Sequence, residues 1–145
     1  MIIILMCSVM YKNAKIMIID DDRDINNLFK LFLEYDGYKV DAFTDPIDVL
    51  YSFRKYEYDL ILLDLKMPNI DGMTLYQKLK KIDDRVLICF ITANIEYIQQ
   101  LKNYIPDIEK KVIYKPILLT ELRKKINSII LVKEKTDNNK LLQYN

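Results

Sequence analysis

The stretch Leu60-Ile61-Leu62-Leu63-Asp64-Leu65-Lys66-Met67-Pro68-Asn69-Ile70-Asp71-Gly72 places a carboxylate directly after four consecutive aliphatic residues. So short and apolar a run, bounded by Asp59 before it and by Pro68 and Asp71-Gly72 after it, predicts a strand buried on both faces and ending in a loop. Asp64 then stands at the carboxyl end of that strand. In open parallel α/β sheets this rim is where ligands and chemistry sit, so the position is itself a functional hint.

Working outward, the theme repeats. Lys15-Ile16-Met17-Ile18-Ile19 is a second β-compatible apolar run, and it stops abruptly at Asp20-Asp21-Asp22. After Asp24 the spacing of Ile25, Leu28, Phe29 and Phe32 predicts an amphipathic helix stopped by Gly37, with Asp22 or Asp24 able to cap it. Tyr38 to Phe43 alternates like an outer strand, and Asp45-Pro46 starts a second helix carrying Ile47, Leu50 and Phe53. The third strand runs from Tyr58 to Leu63. Gly72 then opens a helix with Leu75 and Leu79 inward and Gln77, Lys78 and Lys81 outward.

Val86 to Ile91 reads as a fourth buried strand ending in Thr92-Ala93, followed by a short helix from Asn94 to Asn103 that Pro106 closes off. Val112-Ile113-Tyr114 is a fifth strand closing on Lys115-Pro116, and Leu119, Leu122, Ile126 and Ile129 mark the last helix. Strands alternating with helices throughout predict an α/β fold, a doubly wound five-stranded parallel sheet with five helices. Lys133 onward reads as a frayed polar tail, and residues 1–14 as an apolar N-terminal extension to a domain spanning 15–132. The extension is far short of the roughly 18 apolar residues of a membrane span, and it lacks the basic start and cleavage site of a secretory signal.

Composition narrows the chemistry. The chain has 145 residues, 51% of them hydrophobic and 30% charged, with a net charge of +1. That balance suits one soluble domain with a real core and argues against a nonspecific nucleic-acid binder. The chain contains no histidine. Ser-His and Cys-His catalysis, imidazole metal ligation and an internal phosphohistidine are thereby excluded. Cys7 and Cys89 lie apart in apolar runs, without C-x-x-C spacing, and read as reduced small hydrophobes of a cytoplasmic protein.

In a parallel sheet all strand ends meet on one rim, so Asp20, Asp21, Asp22, Asp64, Thr92 and Lys115 should converge although scattered in sequence. Several carboxylates together need a cation, and all-oxygen ligation suits Mg²⁺. A lysine ammonium and a threonine hydroxyl facing it would complete a phosphoryl pocket, with Asp64 as the nucleophile that forms an acyl phosphate.

With these residues in hand, the chain resembles the receiver domain of two-component response regulators, the flavodoxin-like, CheY-like family, over residues 15 to 132. The resemblance is carried by the run into Asp20-Asp21, by Leu63-Asp64-Leu65-Lys66-Met67-Pro68 with Asp71-Gly72, by Thr92-Ala93 and by Lys115-Pro116. It implies that Asp64 is the phosphoacceptor. It also implies that Asp21, Asp64 and the backbone carbonyl of Lys66 bind Mg²⁺, with Asp20 helping through water, and that Thr92 and Lys115 hold the phosphoryl oxygens. A cis peptide before Pro116 and tuning of hydrolysis by Lys66 and Asn94 follow from the same likeness.

The likeness departs at Val112, where the family often carries an aromatic switch residue. Tyr114 shares that face two residues on, and either one is a candidate for the output surface. The usual Gly-Ala approach to the fifth strand is also replaced, by Ile105-Pro106-Asp107-Ile108.

The implied function is a phosphoacceptor receiver of a phosphorelay, not an enzyme beyond its own phosphorylation and slow dephosphorylation. Its donor would be a histidine kinase or histidine phosphotransfer protein, and it would signal to a downstream target protein without binding nucleic acid or spanning a membrane. The chain ends soon after the last helix, which suggests a stand-alone, single-domain type. A haloacid-dehalogenase-type phosphatase is the rival enzyme, since Asp20-x-Asp22 mimics its nucleophile motif, but it leaves Asp64 unexplained. The other rival is a docking-only module that takes no phosphate.

Overall fold

The computed structural model describes residues 13–143. All but the last two residues of the expected apolar extension, and Cys7 with them, lie outside this range. The strands are β1 (Lys15–Ile19), β2 (Lys39–Phe43), β3 (Leu60–Asp64), β4 (Leu87–Thr92) and β5 (Val112–Tyr114). The helices are α1 (Arg23–Tyr35), α2 (Pro46–Ser52), α3 (Gly72–Ile82), α4 (Ile95–Leu101) and α5 (Leu119–Gln143), with a 3₁₀ turn at Ile108–Lys111 before β5. The strands form one parallel sheet in the order β2-β1-β3-β4-β5. This is the doubly wound five-stranded sheet expected from the alternating pattern, with β2 and β5 at its edges.

The period-2 geometry of the strands divides the core in two. Met17, Ile19, Ile61, Leu63 and Phe90 face α2, α3 and α4, where Val49, Leu75, Leu79 and Ile98 meet them. Ile16, Ile18, Leu60, Leu62, Cys89 and Ile91 face α1 and α5, against Phe29, Leu33, Leu122, Ile126 and Ile130. Every residue of β3 is buried, as its uninterrupted apolar run requires of a strand covered on both sides. Burial pushes the Cys89 thiol up to about 12, which makes it an inert hydrophobe.

Three expectations need correction. The buried face of α1 is Asn26, Phe29 and Leu33, while Leu28 is 50% exposed. The apolar spacing could not anticipate this, because α1 is rotated to place an asparagine over the strand ends. In α2, likewise, Val49 is buried and Ile47 is 42% exposed. The stretch from Lys133, read as a frayed tail, continues α5 to Gln143. No Pro or Gly interrupts the chain beyond Pro116, and Lys, Glu and Gln are good helix formers. Lys133 Nζ also anchors the helix, donating to Asp59 Oδ1 at 3.1 Å. Residues 135–143 are exposed, and the limit expected at residue 132 coincides with no break in secondary structure.

Candidate phosphoryl site at the carboxyl edge of the sheet

β1 is flanked by β2 and β3, so the order of connection reverses beside it, and the carboxyl ends of β1 and β3 open onto the crevice this creates. Asp20 follows β1 and Asp64 ends β3. Their side chains are buried, with the residues only 1% and 4% exposed, whereas Asp21 is exposed. The carboxylate oxygens of Asp20, Asp21 and Asp64 lie within 4.8 Å of one another.

Asp22 lies apart from this cluster in role. Its Oδ1 accepts from the N–H groups of Asp24 and Ile25 and caps α1.

Lys115 comes from the far side of the sheet. Its Nζ donates to Asp20 Oδ2 and to Asp64 Oδ2, both at 3.1 Å. Two further backbone donors fix the carboxylates: the Lys66 N–H to Asp64 Oδ1 and the Asp22 N–H to Asp20 Oδ1, each at 2.9 Å. Burial pushes the Asp20 carboxyl up and the neighbouring Asp64 charge adds to it, with the Asp22 N–H and Lys115 pulling back. Burial alone would lower Lys115, but the hydrogen bond and charge of Asp20, with Asp64, outweigh it and hold the ammonium above its ordinary value. The lysine stays charged.

The remaining members close the ring. Thr92 ends β4 and is buried; its Oγ1 accepts from the Asn94 N–H at 3.0 Å, and its carbonyl accepts from the Lys115 N–H at 2.9 Å. The Lys115–Pro116 peptide is cis. Asn94 is the N-cap of α4, its Oδ1 taking the Tyr97 N–H, and Lys66 is exposed on the rim. A cavity of about 880 Å³ is lined by Asp20, Asp21, Asp22, Asp64, Lys66, Thr92, Asn94 and Lys115 and reaches on to Met67, Asp71, Glu96 and Tyr97. Val112 and Tyr114 lie outside it; Val112 is buried and Tyr114 is 40% exposed.

Residues 16–127 match the response regulator receiver domain. The chain belongs to this family. Relatives include transcription factor SKN7 of Saccharomyces cerevisiae, 30% identical over 111 residues that make up 77% of this chain but 18% of the yeast protein. Sporulation initiation phosphotransferase F of Bacillus subtilis is 32% identical over 92 residues, 62% of this chain and 74% of that protein. The chain thus spans about a fifth of the yeast factor and most of the bacillary protein.

Among solved structures, a CheY-like receiver domain from Methanospirillum hungatei JF-1 superposes with a TM-score of 0.72 at 26% identity, covering 85% of this chain and 98% of that one. A two-component response regulator from Clostridium difficile gives 0.68 at 30% identity, covering 81% and 95%. The family is one of phosphoacceptors without a dedicated catalytic activity. Among the described residues no helix is long and apolar enough to cross a membrane.

The receiver's acidic cluster suits a hard divalent cation. Its donors are all carboxylate oxygens, close enough to share one ion, and among the described residues Lys115 is the one cation paired with Asp20 and Asp64.

Two features of the site were not legible as such in the sequence. Gly72 is more than a turn residue: a Cβ there would sit 2.6 Å from Leu65 Cα and 2.8 Å from the Asp64 carbonyl oxygen, so α3 packs directly on the end of β3. Asn26 carries no local signal that tells it from the exposed Asn27 beside it, although its side chain reaches the strand ends.

Asp71 caps α3 through the Thr74 N–H at 2.9 Å and the Thr74 hydroxyl at 2.8 Å. The Thr74 N–H holds its carboxyl below the usual range. Asp71→Ala should cost about 1 kcal/mol at neutral pH. Because the folded-state value is depressed, the contribution is present above the ordinary carboxylate range and is lost as pH falls through the folded value. The gap between wild-type and variant urea midpoints should therefore narrow on acidification. An equal gap at neutral and strongly acidic pH would show that the carboxylate is not responsible.

Proposed function

We propose that this receiver takes a phosphoryl group onto the Asp64 carboxylate from a phosphohistidine on a partner, a histidine kinase or a histidine phosphotransfer protein. It would then signal to a downstream target through protein contacts. The observation that carries the reading is the convergence of Asp64 with Asp20, Asp21, Thr92 and Lys115 on one open cavity. The 145 residues contain no histidine, so the donor imidazole lies outside them. A docking-only module would have no use for two buried acids, and a phosphatase built on Asp20 would leave Asp64 idle.

Each residue has a part in the transfer. The Lys66 N–H holds Asp64 Oδ1 and sets the orientation of the carboxylate. A carboxylate oxygen attacks phosphorus, the phosphorus–nitrogen bond breaks with its electron pair going to the leaving imidazole, and an acyl phosphate forms on Asp64. Lys115 can turn its ammonium from Asp64 to a phosphoryl oxygen, and the Thr92 hydroxyl can donate to another. Asp21, Asp64 and the Lys66 carbonyl would hold Mg²⁺, with Asp20 contributing through water. When bound, the ion offsets the repulsion between phosphoryl oxygens and carboxylates.

Lys66 and Asn94 flank the site and would tune hydrolysis. Lys66→Ala should shorten the lifetime of the phosphorylated form severalfold, because the side chain crowds the approach of water and pairs with the phosphate. An unchanged decay rate by intact mass would refute that role. Tyr114, exposed where Val112 is buried, is the member of the pair that a partner can touch.

The test is incubation with Mg²⁺ and a small phosphodonor, followed by intact-mass measurement. One phosphoryl group per chain, mapped to Asp64, is expected. No adduct with any donor would sink the proposal in favour of docking alone.

A further inference from the structure

α1 buries one polar side chain, Asn26, which is 2% exposed on the face that otherwise carries Phe29 and Leu33. Its Nδ2 donates to the Asp20 carbonyl at 2.7 Å and to the Phe43 carbonyl at 2.9 Å, joining the ends of β1 and β2. Between them the Asp20 N–H donates to the same Phe43 carbonyl at 3.2 Å. The backbone N–H of Asn26 donates to the Asp22 carbonyl at 3.0 Å. The Asn26 side chain therefore fastens the start of the acidic stretch at Asp20, while its end at Asp22 is held by the first helical hydrogen bond of α1, with Asp21 between.

The grip comes with a defect. Asn26 Oδ1 is buried without a hydrogen-bond partner among the described residues. An orphaned buried acceptor is unfavourable, so what the amide contributes lies on its donor side, where an apolar side chain of equal size offers nothing.

We propose that Asn26 is a positioning residue for the acidic site. It fixes the backbone of Asp20 to Asp22 so that the Asp20 and Asp21 carboxylates meet Asp64, and it thereby sets the affinity of the site for a divalent cation. This rests on the reading of the site as a cation-assisted phosphoryl acceptor. It concerns a residue that touches neither the cation nor the phosphoryl group.

The test compares Asn26→Leu, similar in size but without donors, with Leu33→Ala, a buried change on the same helix away from the acidic loop. Mg²⁺ binding is measured by calorimetry well below the melting temperature, and amide exchange at Asp20 to Asp22 is followed in metal-free protein. Asn26→Leu should weaken Mg²⁺ about tenfold or more, as loss of an outer support of a metal site does, and should speed exchange at those amides. Leu33→Ala should lower the melting temperature and move neither.

Wild-type Mg²⁺ affinity and wild-type exchange in Asn26→Leu would overturn the proposal. If Asn26→Leu does not fold, Asn26→Ser, with one donor in place of two, is read the same way. Failure of the wild-type protein to bind Mg²⁺ would count against the cation-assisted reading, and the exchange measurement would still decide the role of Asn26.

Discussion

Asp64→Asn is expected to take up no phosphoryl group from any donor while its stability in metal-free buffer stays within about 1 kcal/mol of wild type, the scale of a single exchanged hydrogen bond. The amide has the shape of the carboxylate but is a far poorer nucleophile. Its oxygen can still accept from the Lys66 N–H or from Lys115, though not from both in the present geometry, where each carboxylate oxygen serves one donor. That loss is offset because the Asp64 charge repels Asp20 and pushes its carboxyl up, and the substitution removes this repulsion. Intact mass after phosphodonor treatment and urea unfolding of the same samples check both halves. An adduct that survives Asp64→Asn but disappears in Asp20→Asn would move the nucleophile to Asp20 and revive the phosphatase reading.

Gly72→Val should be the most damaging single change near the site, and Gly72→Ala a weaker version of it. The first side-chain carbon would meet Leu65 Cα at 2.6 Å and the Asp64 carbonyl oxygen at 2.8 Å. Both are backbone atoms and cannot swing aside. The helix start is also tied to the strand end, since the Gly72 N–H donates to the Leu65 carbonyl at 3.2 Å. Overpacking of this kind costs about 1–3 kcal/mol, occasionally more, which exceeds the gain of about 1 kcal/mol from replacing glycine with alanine within a helix. Because the displaced atoms belong to Asp64 and its neighbour, phosphoryl uptake should fall along with the urea midpoint. A Gly72→Ala protein with normal stability and normal uptake would show that α3 can draw back without disturbing β3.

These two cases mark where reading by pattern succeeds and where it stops. Leu60 to Asp64 is legible as a buried strand with an acidic end because run length, apolarity and flanking turn residues are local properties. The same holds for β1 and its aspartates, for Thr92 and for Lys115. The faces of α1 and α2 could not be placed so well. Leu28 and Ile47 satisfy helical periodicity as well as their neighbours do, yet both are exposed, because the rotation of each helix is chosen by what the sheet presents to it. The polar stretch after Lys133 is ambiguous for a related reason: its composition fits either a tail or an exposed helix, and continuity with a packed α5 selects the helix.

The sequence by itself determined the order of strands and helices along the chain and the acidic ends of the first and third strands. These follow from residue chemistry and from periodicities a few residues long. Only the tertiary structure decided that Lys115 reaches across 95 residues to Asp20 and 51 to Asp64, that Asp22 caps a helix while Asp20 and Asp21 face Asp64, that the Asn26 amide meets the Asp20 carbonyl, and that α3 packs at Gly72 against the end of β3. Such facts are distances between segments remote in sequence, and they exist only once the sheet has brought the strand ends to a common edge.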